Sequence, residues 1–134
     1  MHEMADWTPK IGAMTLHVGD LDRSKQFYQQ VFGLPVQFEE AETVMFRFAD
    51  MYVFLHKAPV PDEPPPAAVL EVARTGAGQF AIIVPDVDAV SAELSARGMS
   101  PISGPDDRPW GMRTVTFADP SGHVWEIAQE IQRP

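Results

Sequence analysis

Apolar and polar residues alternate from Ala13 to Val18. Met14, Leu16 and Val18 share one face and Ala13, Thr15 and His17 the other, which predicts a half-buried strand. The period then changes. Leu21, Ser24, Phe27, Tyr28 and Val31 recur at helical spacing, Asp20 or Asp22 can cap the helix start, and Gly33 stops it after Phe32. Shorter strands are predicted over 36–40, 43–49 and 51–57, separated by turn-sized gaps. Residues 58–66 carry five prolines, so too few amide donors remain for a helix or an internal strand, and an extended linker is expected to reach residue 78.

After the linker the pattern starts again. Phe80, Ile82 and Val84 alternate with Gln79, Ala81 and Ile83, and Asp86 or Asp88 can cap a helix to Arg97 that ends at Gly98. The residues themselves repeat: Val18-Gly19-Asp20-Leu21-Asp22 returns as Val84-Pro85-Asp86-Val87-Asp88, and Phe46-Arg47-Phe48-Ala49-Asp50 resembles Val115-Thr116-Phe117-Ala118-Asp119. Matched landmarks in the same order indicate an internal duplication of a strand, a helix and three strands. The predicted fold class is therefore α+β, with two curved sheets sheltering a cavity on the faces that the helices leave free. The chain divides into an N-terminus at 1–10, a first module at 11–57, the linker at 58–78, a second module at 79–130 and a tail at 131–134, within one structural domain.

The last strand carries the most pointed chemistry. Asp119-Pro120-Ser121-Gly122 is a turn, and in the strand after it Trp125 and Ile127 share one face while Val124, Glu126 and Ala128 share the other. A carboxylate is thus delivered to the cavity side of an otherwise apolar strand.

Composition narrows the function. The 134 residues include no cysteine, which excludes thiol catalysis and cysteine-held zinc and fits a reducing cytoplasm. Nineteen acidic against ten basic residues give a net charge of −9, which repels nucleic acid and anionic lipid and favours a cationic small molecule. No stretch has signal-peptide character or the ~20 apolar residues of a membrane span. A soluble cytoplasmic protein with a small-molecule partner is expected.

These stretches resemble the vicinal oxygen chelate superfamily, which includes glyoxalase I, extradiol dioxygenases, fosfomycin-resistance enzymes and bleomycin-binding resistance proteins. The resemblance is carried by residues 16–24 with Phe27-Tyr28 and Phe32-Gly33-Leu34, by residues 84–88, and by Pro109-Trp110-Gly111-Met112-Arg113 leading into residues 117–126. It implies paired βαβββ modules and, commonly, a homodimer. In metal-dependent members it also implies ligands at four strand positions, which here hold Ala13, Phe54, Gln79 and Glu126. Alanine and phenylalanine coordinate nothing and a glutamine is a weak ligand, whereas catalytic zinc needs three protein ligands. No metal or other cofactor is expected, and a divalent metal on Gln79 and Glu126 is the alternative. The pattern is nearest to the bleomycin-resistance-like branch.

The alternation assigns His17, Arg47, Tyr52, Phe54, His56, Gln79, Thr114 and Glu126 to the cavity face, with Trp110 at its mouth. The aromatics can stack on a planar ligand, Arg47 can hold an anionic group or pair with Glu126, and His17 with His56 could form a displaced metal pair. His123 is expected to be a solvated turn residue, and Trp7 and Trp125 to serve packing. The expected function is sequestration of an aromatic or cationic compound without catalysis. One alternative is a metal-dependent lyase or dioxygenase with Glu126 as catalytic residue, and another is a regulatory or scaffold module with a vestigial pocket.

Overall fold

Asp20 and Asp86 perform the same task in the two halves of the chain. Each stands in extended backbone just before a helix and accepts a hydrogen bond from an amide of its first turn, Asp20 from Arg23 N at 3.0 Å and Asp86 from Ala89 N at 3.1 Å. Around these caps the computed structural model, which describes residues 5–61 and 67–131, builds the unit twice. The first comprises β1 (Ala13–Val18), α1 (Leu21–Val31), β2 (Val36–Glu40), β3 (Thr43–Phe48) and β4 (Met51–Lys57). A further helix, α2 (Ala67–Arg74), precedes the second, which comprises β5 (Phe80–Ile83), α3 (Val87–Ala96), β6 (Ser103–Arg108), β7 (Met112–Ala118) and β8 (Val124–Glu130).

Each unit forms a four-stranded mixed sheet. The orders are β1-β4-β3-β2 and β5-β8-β7-β6, so the first strand of each unit lies parallel to its last and the middle strands return antiparallel. In the first sheet Ala13 pairs with Tyr52 and His17 with His56, and in the second Ala81 pairs with Glu126.

The two sheets share a single core. Leu16, Val44, Phe46, Val53 and Leu55 of the first and Val115, Phe117, Trp125 and Ile127 of the second pack with Tyr28 and Val31 of α1 and Val87 and Leu94 of α3. Phe48 of β3 stacks on Trp125 of β8 with ring centroids 5.4 Å apart, so the helix-bearing sides of the sheets face one another. Each large apolar side chain buried there stabilises the fold by about 1.5–3 kcal/mol. The other side of each sheet points outward.

The structure departs from expectation in the linker. Residues 67–74 are helical rather than extended, because Ala67-Ala68-Val69-Leu70-Glu71-Val72-Ala73 are helix-tolerant residues lying just beyond the prolines. Strand β6 has the loop-like sequence SGPDDR and is held as a strand by its pairing with β7, with a register shift between Ser103 and Asp106. Trp7 is 69% exposed, so it contributes no packing. Of the expected N-terminus, linker and tail, residues 1–4, 62–66 and 132–134 lie outside the described residues. Among those described, no helix is long and apolar enough to cross a membrane.

Candidate functional site

The outward faces of the two sheets differ sharply in exposure. On the first, Thr15, His17, Arg47 and Tyr52 are exposed and Met45, Phe54 and His56 half-buried. On the second, Thr114, Thr116, Val124 and Ala128 of β7 and β8 are buried, while Ala81 and Ile83 of β5 are exposed. The difference is α2 together with the residues that follow it, which lie across β7 and β8.

The first face brings together five of the expected site residues. His17 and His56 are register partners whose rings meet edge to face at 6.2 Å, and His56 Nδ1 is hydrogen-bonded to Thr43 Oγ1 at 2.9 Å. Phe54 and Tyr52 continue along the same side of β4. Arg47 donates through Nε to Ala49 O at 2.7 Å, and its guanidinium carbon stands 5.9 Å from the Tyr52 ring centroid, a cation–π approach. It does not pair with Glu126, because β3 and β8 belong to different sheets whose outward sides point apart. Of the two roles open to Arg47, the pairing with Glu126 is not formed, and each residue has other partners.

Glu126 meets other groups. Its Oε1 accepts from Gly78 N at 3.3 Å, and the positive charge that acts on it is Arg108. Loss of solvent around the carboxylate outweighs both and holds its pKa above the ordinary glutamate range. The Arg108 side chain, only 15% exposed, donates through Nε to Thr114 Oγ1 at 3.1 Å and through a terminal nitrogen to Ser103 Oγ at 2.8 Å. Thr116 Oγ1 donates to Ala73 O, and Ser103 Oγ donates to Arg74 O at 3.3 Å. The alternation assigns Thr116 to this face along with Thr114, but Arg108 and Ser103 were not singled out, because β6 does not read as a strand, and the partners of Thr116 and Ser103 lie 43 and 29 residues away.

Gln79 stands at the edge of this face with its side chain already committed. Its amide oxygen accepts from Val124 N at 3.0 Å while its own backbone N donates to Val124 O at 2.9 Å. Trp110 lies in the turn between β6 and β7 and is 49% exposed. His123 is tied across the modules, with Nε2 3.0 Å from His17 O, rather than simply solvated. Among the described residues, a groove of about 740 Å³ lies at the seam between modules, lined by Met14, Phe32, Phe48, Phe80 and Trp125 among others, with no ionisable side chain in its lining.

The profile of the Glyoxalase/Bleomycin resistance protein/Dioxygenase superfamily matches residues 10–127. The chain belongs to this superfamily. A putative lactoylglutathione lyase from Brassica oleracea var. gemmifera is 27% identical over 98% of this chain and 50% of its own, so the chain spans about half the length of the curated relatives it matches. A glyoxalase/bleomycin resistance protein/dioxygenase from Nocardioides has the same fold, with a TM-score of 0.72, 22% identity and coverage of 96% of this chain and 87% of its own. TnmS3, an antibiotic binding protein from Streptomyces sp. CB03234, superposes with a TM-score of 0.68 at 26% identity over 96% of this chain and 99% of its own.

The residues of this superfamily member do not fit the metal that many relatives use. Of the four strand positions, Ala13 and Phe54 offer no donor atom, the Gln79 oxygen is taken by Val124 N, and Glu126 remains alone. His17 and His56 give two imidazoles on the other sheet, and among the described residues no three His, Asp or Glu side chains are grouped to hold an ion.

Proposed function

We propose that the protein binds a small aromatic or cationic organic molecule, sequestering an antibiotic or other toxic compound without chemical turnover. The observation that carries this reading is Gln79: its amide oxygen is spent on Val124 N, so Glu126 has no companion with which to hold a metal and acts as a counter-ion instead. Tyr52, Phe54 and His56 supply aromatic surface and Arg47 a planar charged group, the combination that affinity and orientation require. The likeness to TnmS3, an antibiotic binding protein, supports the same reading.

The protein acts as a cytoplasmic homodimer in this reading. A two-fold arrangement would set the open face of one protomer's first sheet against the second sheet of its partner, uniting residues that one chain holds on opposite sides. Isothermal titration against a panel of planar cationic antibiotics tests the function. Binding at micromolar concentration supports it, and no binding below millimolar by any member overturns it.

A second reading, a metal-dependent lyase, is favoured by the likeness to plant lactoylglutathione lyases. Elemental analysis of protein purified without chelator separates the two. About one equivalent of Zn, Ni, Mn or Fe supports the lyase, and less than about a tenth removes it.

A further inference from the structure

The part of the second sheet's outward face formed by β7 and β8 is covered by the chain itself, while Ala81 and Ile83 of β5 stay exposed, and the manner of covering specifies a ligand. Residues 73–78 lie on it as backbone. The carbonyls of Ala73 and Arg74 accept from Thr116 and Ser103, and the amide of Gly78 donates to Glu126. Apart from Arg74, whose side chain turns out to Glu71, and Thr75, the residues there are alanine and glycine, and the backbone comes close. A Cβ at Gly76, which has φ +83°, would collide with the Arg108 guanidinium, and one at Gly78 would stand 2.9 Å from the backbone of Trp125 and Glu126.

Beyond these bonds, α2 packs on β7 and β8 with Val69 and Leu70 half-buried. Ala73 is the buried residue of α2, and Val72 is 48% exposed although the helix is apolar. A helix of this length has marginal stability of its own. The first sheet, built to the same plan, carries no such helix on its outward face among the described residues. Beneath the segment, Ser103, Arg108, Thr114, Thr116 and Glu126 are groups that water can solvate once it lifts, while the apolar Val124 and Ala128 need a ligand to cover them again.

We propose that residues 67–78 form a displaceable self-ligand and that the face beneath them takes a peptide-like ligand, one presenting an N–H to Glu126 and carbonyl oxygens to Ser103 and Thr116. This rests on the binding reading above for the use of that face, and it narrows the ligand from cationic or aromatic compounds in general to amide-bearing ones. Displacement exchanges one set of hydrogen bonds for an equivalent set, so the cost of opening is chiefly the loss of an intramolecular tether.

The test uses the full chain and a blocked synthetic peptide of residues 67–78. In the wild-type protein, amide hydrogen exchange over residues 72–78 is expected to run at least tenfold faster than over β7 and β8. Exchange of the two at the same rate, through global unfolding alone, overturns the proposal. The substitution Gly78→Val unseats the segment, and the peptide should then bind at sub-millimolar concentration while failing to bind wild type. Adding Thr116→Val, which removes the hydroxyl and keeps the shape, should weaken that binding about tenfold. A folded Gly78→Val protein that ignores the peptide also overturns the proposal, and if that variant does not fold, the wild-type exchange rates decide. The two readings fail separately. Antibiotics that bind neither protein while the peptide binds Gly78→Val sink the cationic-ligand function alone, whereas antibiotics that bind wild type without altering exchange at 72–78 sink the self-ligand alone.

Discussion

The Tyr28 hydroxyl donates to Asp119 Oδ2 at 2.6 Å across 91 residues of sequence, joining the first module's helix to the turn that launches β8. The same oxygen accepts from Trp125 Nε1 at 3.0 Å, and the other Asp119 oxygen accepts from Ser121 N and His123 N. This buried network sets the start of the strand that carries Glu126 and locks the two modules to each other. Tyr28→Phe would leave both the Trp125 N–H and one Asp119 oxygen unpaired. Urea unfolding should show a loss of about 1–3 kcal/mol for each buried group left unsatisfied.

Burial, with the negative Asp119 beside it, pushes the Tyr28 pKa well above the ordinary tyrosine value. The chain has two tyrosines, and Tyr52 is exposed. Absorbance near the tyrosinate band should therefore show the Tyr28 phenol ionising only above the ordinary range of about 10, as the chain unfolds. Because the folded pKa is raised, the folded state keeps a proton that the unfolded chain releases. This contribution to stability is complete below about pH 10 and is lost above it.

Glu126 obeys the same sign at the acid end. Its folded pKa is raised, chiefly by desolvation, so the folded state binds the proton more tightly and the charged form weakens the fold as pH climbs through the window above the ordinary carboxyl value. Glu126→Gln keeps an oxygen for Gly78 N and removes that burden. Its melting temperature should exceed wild type at pH 7 by roughly 1–2 °C, a small effect because the carboxylate is only partly buried and solvent screens it. The difference should vanish below about pH 4.

Arg113 ties β7 to α3 and β6. It grips Asp88 through Nε and a terminal nitrogen at 2.9 and 3.0 Å, and Asp107 at 3.0 Å through the other. Arg113→Lys keeps the charge and loses the fork. Because the partners are exposed and solvent screens the pairs, thermal unfolding should register only a small loss.

Much of this organisation was legible in the sequence. The period of two in β1 and β8, the helical stripe of α1 and the paired caps Asp20 and Asp86 report local geometry, and local geometry is what residue order encodes. The site was legible in pieces. Alternation placed His17, His56, Tyr52 and Phe54 on one face correctly, because register follows from the pleat. What it missed depends on contacts far apart in sequence. Nothing in Ala73 announces that Thr116 will bond to its carbonyl, and nothing in Arg108 announces that Gly76 will lie against it. The pairing of Arg47 with Glu126 failed for a related reason: the chain pattern tells which residues face away from the helices but not that the two sheets set those faces on opposite sides.

The central claim, that this superfamily member binds a small molecule without the metal that many of its relatives use, is tested most directly by one titration. Protein stripped with a chelator is titrated calorimetrically with the planar cationic antibiotics, with and without added Zn, Ni or Mn. Micromolar binding that is indifferent to metal and weakened at least tenfold by Glu126→Gln is the predicted result. Binding that appears only after about one equivalent of metal is restored would contradict it.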